Sequence, residues 1–163
     1  MARRTPSGTP ALLTLQRAGV EHVVHAYDHD PAVANFGLEA AQELGVDPSR
    51  VFKTLLADVD GRPVVAIVPV SGTLDLKALA AACGAKRARM LEPAAAERLT
   101  GYVVGGISPL GQRTLSPTVV DATAGNHPTV YVSAGRRGLD VELSPADLVR
   151  LTSAQCAPIA GGH

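Results

Sequence analysis

The chain has 163 residues, enough for one domain with an adequate core, and 46% of them are apolar against 18% charged. Its 15 basic side chains balance 15 acidic ones, and it has no Trp, three Tyr and two Phe. This argues against a protein that grips long nucleic acid by phosphate neutralisation alone or by a broad stacking platform.

The opening "MARRTPSGTP" is basic but lacks the apolar run and cleavage site of a signal peptide. Residues 1–9 are expected to form a flexible tail, with the domain over 10–158 and a short tail over 159–163. "PALLTLQRAG" reads as a helix capped by Thr9, with Pro10 in its first turn and Gly19 at its end. "HVVHAYDH" reads as a strand leading to a turn at Asp30-Pro31. The next helix starts near Asn35 in "NFGLEAAQELG", and "DPSR" is a turn.

"VFKTLLAD" and "PVVAIVPV" read as strands joined through "VDGR", where Asp60-Gly61 signals a hairpin. "LDLKALAAACG" is a helix, "AKRARML" a short strand and "PAAAERLTG" a short helix. "GYVVGGISPLGQRTLSP" interrupts the regular pattern with Gly, Ser and Pro. The strands "TVVDA", "TVYVSA" and "LDVEL" follow, the last two joined by "GRRG". "SPADLVRLT" is a closing helix capped by Ser144. Strands and helices mix without steady alternation, which predicts a compact α+β domain with a mixed sheet. No apolar run reaches the roughly 18 residues of a membrane span.

Lys53 raises the first chemical question. In extended geometry Val51, Lys53 and Leu55 share one face, and Phe52, Thr54 and Leu56 the other. Both faces are largely apolar, and an unpaired buried ammonium is costly. Lys53 is therefore either an edge lysine that blocks aggregation or a cation at the mouth of a pocket. "GGISPLG", Gly105 to Gly111, permits close backbone approach and can present N–H groups to an oxyanion, or it is a structural turn. It is neither a Walker loop nor a Rossmann fingerprint. Arg136 and Arg137 lie in a hairpin loop; beside a pocket, Ser133 and Asp140 can hydrogen-bond a small polar substrate.

Other chemistries fare poorly. There is no G-x-S-x-G elbow around Ser108. Cys83 reads as a packed thiol at a helix end, and Cys156 lies near the C-terminus without an evident partner. His25 and His29 have a zinc-like spacing, but a strand and a turn separate them, so neither a metal nor a cofactor is expected. Tyr27 and Phe36 read as packing residues on pattern alone.

The blocks "YDHDP", "NFG", "VFKTLL", "LDLKALA", "GYVVGGISPLG", "PTVVDA" and "VSAGRRGLDVEL" run from Tyr27 to Leu143. Together they resemble the bacterial Cys-tRNA(Pro) deacylase family, called YbaK/EbsC-like. The resemblance implies the fold of the editing domain of prolyl-tRNA synthetases: a single α+β domain with a mixed, barrel-like β-sheet flanked by helices. It implies a cytoplasmic trans-editing enzyme that hydrolyses mischarged Cys-tRNA(Pro), with the substrate's own thiol attacking its ester and no protein nucleophile. Lys53 falls on the family's signature lysine, with Thr54 beside it. The pocket residues fall on Tyr27, Phe36, Gly106, Ser133 and Asp140, and the Gly-Pro loop on Gly105 to Pro109, including Ser108. Lys53 and the Gly106 backbone are the expected catalytic groups. The implied partners are the acceptor end of mischarged tRNA(Pro) and, transiently, prolyl-tRNA synthetase; neither DNA nor a membrane is expected. Relatives act on other aminoacyl-tRNAs, so Ala-tRNA(Pro) or another mischarged tRNA is an alternative substrate. A non-catalytic tRNA- or synthetase-binding module is an alternative of another class.

Overall fold

The structure is a computed structural model that describes residues 8–161. In chain order its elements are α1 (Pro10–Ala18), β1 (Val23–Ala26), α2 (Phe36–Leu44), β2 (Phe52–Val59), β3 (Arg62–Pro69) and β4 (Thr73–Leu74). Then come α3 (Leu76–Ala82), β5 (Ala88–Met90), α4 (Pro93–Thr100), β6 (Thr118–Asp121) and β7 (Val130–Arg136). The chain closes through β8 (Leu139–Leu143), α5 (Pro145–Thr152), β9 (Gln155–Ala157) and β10 (Ala160–Gly161).

Local chemistry sets the ends of these elements. Thr9 Oγ1 accepts the Leu12 amide at 3.2 Å, Asn35 Oδ1 that of Leu38 at 3.1 Å, and Ser144 Oγ that of Asp147 at 3.1 Å. Each such cap is worth about 1 kcal/mol. Asp60 and Gly61 both take positive φ, 48° and 88°. That is the twist a two-residue hairpin turn needs to pair β2 with β3 along their whole length.

The strands form a five-stranded mixed sheet in the order β5-β2-β3-β6-β9, a three-stranded antiparallel sheet β1-β8-β7, and a small β10-β4 pair. The β3–β6 and β6–β9 pairings are parallel. This is the expected α+β domain with a mixed sheet; its strands join as open sheets, without closing a barrel. Strand β3 is covered on both faces, and its side chains separate by parity. Val65 and Ile67 enter a core shared with Val132, Leu139 and Leu148, whereas Ala66 and Val68 pack with Leu79, Val119 and Ile159. Burying one such Val, Leu or Ile contributes about 1.5–3 kcal/mol.

The two ends of the chain correct the expected tails. Thr9 belongs to the domain as the cap of α1, and residues 1–7 lie outside the described residues. At the other end Ile159 is fully buried and Ala160 pairs with Leu74, so residues 159–161 are part of the fold. Residues 162–163 lie outside the described ones. Among the described residues no helix is long and apolar enough to cross a membrane.

Candidate active site

The site begins where β2 loses a neighbour. Strand β3 pairs with β2 from Phe52 to Val59, but β5 pairs only with Ala57 to Val59. Before that, Val51 makes a lone parallel bridge to Tyr131 of β7. The two larger sheets thus meet at Val51 and part beyond it, leaving one edge of β2 open between Phe52 and Leu56. The Leu56 carbonyl accepts the Leu91 amide on this open side, at 3.0 Å. By the alternation of an extended chain, the Thr54 backbone groups face the same side.

A cavity of about 510 Å³ fills this notch, a volume in the range of small-molecule sites. Strand β2 supplies Lys53 and Thr54, the β7–β8 pair supplies Ser133 and Asp140, and Tyr27 and Phe36 close it from the chain around the start of α2. Its remaining wall is apolar: Met90 and Leu91 at the end of β5, Ala96 of α4, and Val104 and Ile107 of the glycine-rich loop.

Three polar side chains in this cavity have no hydrogen-bond or ion-pair partner among the described residues. Lys53 is half-buried and takes no part in the ion pairs among the described residues. Loss of solvent lowers its pKa. Asp140 is only 5% exposed; with no described side chain to stabilise its charge, burial pushes its carboxyl up to about 7. Among the described residues, the Thr54 hydroxyl is the only fully buried side-chain polar atom without a hydrogen-bond partner. Burial, then the Asp140 and Glu39 charges, raise the Tyr27 phenol, so it stays protonated and able to donate.

The mouth is held by contacts across three segments. Arg137 Nε donates to the Val104 carbonyl at 2.9 Å, and its guanidinium lies 4.8 Å from the centre of the Phe36 ring. Gly105, at φ 90°, fits beneath both: an added Cβ would come within 2.9 Å of Arg137 Nε and of the Phe36 ring. Behind Phe36, the carboxylate of Glu39 accepts from His29 Nδ1 at 2.7 Å and from the Asp30 amide at 2.8 Å. Burial would raise the Glu39 pKa, but these hydrogen bonds outweigh it and hold the carboxylate ionised. The loop before α2 is thereby tied to the helix that carries Phe36.

The structure brings Tyr27, Phe36, Lys53, Thr54, Gly105, Ser133 and Asp140 together around one cavity. It does not bring Gly106, Ser108 or Pro109 to its lining. The Gly106 amide is already donated to the Val103 carbonyl at 2.9 Å, and the glycine packs against the Arg136–Arg137 backbone. Ser108 is fully buried, and its Oγ accepts the Leu110 amide at 3.2 Å in a local turn. Pro109 is buried beside it. Among the described residues the amides of Gly105 and Ile107 have no protein acceptor, and both residues line the cavity. Ile107 falls within the expected Gly105–Pro109 loop, whereas the Met90–Leu91 wall and the Arg137 latch were not expected. Only the position of Arg137 in the glycine-flanked hairpin loop hinted at any of them.

The remaining candidates lie elsewhere. His25 bonds Glu142 at 2.9 Å. Cys83, expected to be packed, is exposed at the end of α3, and Cys156 is exposed on β9; neither lines the cavity.

Residues 30–151 match the model of the aminoacyl-tRNA editing domain. The chain is 42% identical over 120 residues, 73% of each chain, to an Enterococcus faecalis protein named "Putative Cys-tRNA(Pro)/Cys-tRNA(Cys) deacylase EbsC". It is 32% identical over 111 residues to the "Uncharacterized protein YwhH" of Bacillus subtilis, covering 68% of this chain and 70% of that one. A crystal structure described as "a putative trans-editing enzyme for prolyl tRNA synthetase" superposes with a TM-score of 0.82 at 26% identity, over 98% of this chain and 100% of the other. Fold, cavity and sequence agree: the chain belongs to the aminoacyl-tRNA editing domain family.

Proposed function

We propose that the protein is a trans-editing deacylase that clears cysteine from mischarged tRNA(Pro). The observation that carries this reading is the set of three polar side chains without a protein partner, Lys53, Thr54 and Asp140, in one largely apolar cavity. Buried polar groups are normally partnered, so such a cavity favours a small polar occupant. An aminoacyl ester at the end of an RNA strand has matching groups. Its α-ammonium suits the Asp140 carboxylate, and its ribose and ester oxygens suit Lys53 and the Thr54 hydroxyl.

The described cavity lining offers no cysteine or serine elbow, and the substrate can supply its own nucleophile. The cysteinyl sulfur attacks its ester carbonyl carbon, and the bond to the ribose oxygen breaks. The thiol proton ends on that oxygen, leaving free tRNA and a cyclic thioester that water then opens to cysteine. Intramolecular attack gains a large proximity advantage once the aminoacyl group is folded back. The amides of Gly105 and Ile107 are the donors proposed for the developing oxyanion, in place of Gly106, whose amide is engaged. Alanine lacks the thiol, and serine's hydroxyl is a weaker nucleophile. The chemistry therefore adds a filter to the about 1–3 kcal/mol that pocket contacts give for one small group. On this reading the protein works in the cytoplasm, and prolyl-tRNA synthetase supplies tRNA specificity in a transient complex.

The test gives the purified protein Cys-, Ala-, Ser- and Pro-tRNA(Pro), and Cys-tRNA(Cys) because the Enterococcus protein's name includes it. Cysteine-selective release that survives Cys83→Ala/Cys156→Ala and is lost in Lys53→Ala is expected. Preferential release of alanine would replace the substrate, and tRNA binding without release would make the protein a binding module.

A further inference from the structure

A second concavity, of about 580 Å³, lies beyond the end of the active-site cavity, where the β2–β3 hairpin, α3 and β5 meet. Its charged lining is Lys77, Lys86, Arg87 and Arg89 against Asp58 and Asp60. Four cations against two carboxylates leave a local excess of two positive charges in a chain whose formal net charge is zero.

The two carboxylates are occupied in building the groove. The Asp60 oxygens accept the Lys86 amide at 2.9 Å and the Arg87 amide at 3.0 Å. Asp58 Oδ1 accepts the Gly61 amide at 2.8 Å, and Asp58 Oδ2 lies 3.4 Å from Arg89. The Asp60 amide in turn donates to the Arg87 carbonyl at 3.1 Å. The hairpin and the segment entering β5 are thus locked together, and their basic side chains project from a fixed frame. Lys77, Lys86 and Arg87 take part in none of the ion pairs among the described residues.

Strand β5 joins the two concavities. Met90 lines the active-site cavity, while its neighbours Ala88 and Arg89 line the basic groove. At about 3.3 Å per residue, the groove begins within a residue or two of the cavity wall. We infer that this groove holds backbone phosphates of the RNA strand whose aminoacyl end occupies the cavity. This rests on the deacylase reading for the identity of the strand and adds where its phosphates lie. The groove carries no aromatic side chain on which a base could stack. It therefore contacts the backbone and is indifferent to base sequence.

The experiment measures binding of uncharged tRNA(Pro) from low to moderate salt, comparing wild type with Lys86→Ala/Arg87→Ala. Arg17→Ala/Arg150→Ala, which removes the same charge elsewhere, is the control. Both side chains in the groove pair are exposed, and the Asp60 bonds go to their backbone amides, so the frame is retained. Loss of two single-strand phosphate contacts should flatten the log–log salt slope by about 1.4 and weaken binding roughly tenfold at low salt. Hydrolysis of a cysteinyl-adenosine ester without phosphates should be unchanged. Salt slope and affinity equal to the control's would overturn the inference, as would an acidic peptide that binds the groove and leaves tRNA binding intact. The binding measurement decides the matter even if no tRNA is deacylated, so failure of the groove and failure of the enzyme reading are distinct results.

Discussion

Lys53 and Asp140 line the same cavity without forming an ion pair. Pairing would have offset part of both desolvation costs. Instead each group is pushed toward its neutral form, the ammonium downward and the carboxyl up to about 7. An aminoacyl ester entering between them can engage both, and its ammonium would favour the ionised carboxylate. On the proposed reading, the occupant relieves the electrostatic cost of burying these two groups.

Asp140 makes this cost measurable. Its folded pKa lies above its unfolded value, so the protonated acid is favoured in the native state. That contribution is fully present below about pH 4 and is lost as pH rises through about 7. Wild-type stability should therefore fall relative to Asp140→Asn across this interval, by at most on the order of 4 kcal/mol, and then level off. Urea denaturation at several pH values reads the difference, and parallel profiles would remove the argument. On the proposed reading, in which Asp140 as carboxylate receives the substrate ammonium, deacylation should rise over the same interval.

For Lys53 the sign is opposite. A lysine whose folded pKa is depressed by burial opposes folding while it is charged. Lys53→Met should keep or raise the thermal midpoint while lowering deacylation about 100-fold or more. A fall in both together would mean that the lysine is a structural strand residue and not a cation facing the ligand.

Local signals were sufficient for much of the fold. Thr9 and Ser144 cap the helices expected of them, the second helix starts beside Asn35 as expected, and Asp60-Gly61 makes the expected hairpin. The two-residue partners β4 and β10 were invisible because neither has a period of its own: they exist through pairing across more than 80 residues. The candidate site divides along the same line. Lys53 stood out because a cation in an apolar strand is costly wherever it lies. The glycine-rich loop announced a close approach without saying what approaches, and at Gly106 it is the hairpin backbone rather than a ligand. Arg137 could be read only as a hairpin-loop residue because Phe36, its partner, is 101 positions away in the chain.

Gly106 is thus expected to matter for packing. A Cβ there would come within 2.7 Å of Arg136 Cα and 2.8 Å of its carbonyl carbon. Backbone cannot swing aside as a side-chain tip can. Gly106→Ala should therefore destabilise the protein by about 1–3 kcal/mol and displace the loop carrying Gly105 and Ile107. Thermal denaturation together with kcat and KM for Cys-tRNA(Pro) tests this. A fully stable variant with normal kinetics would show that the loop has room to spare.

Asp121 ties the C-terminal segment to the body of the fold. Its Oδ1 accepts the amides of Ile159 and Ala160, both at 2.9 Å, and its Oδ2 accepts the Thr123 amide at 3.2 Å. Burial would raise its pKa, yet the Thr123 side chain and these amides together hold it below the usual carboxylate value. Its stabilisation is therefore present above about pH 4 and lost as pH falls through the folded value. Asp121→Ala leaves three amides without their acceptor, two of them at the fully buried Ile159 and its neighbour Ala160, at about 1.5–3 kcal/mol for each charge-assisted bond. Hydrogen exchange should quicken first at residues 159–161 and at Thr73 and Leu74, which pair with them. If exchange there stays slow in the variant while global stability falls, the carboxylate holds the body of the sheet and not its C-terminal strand.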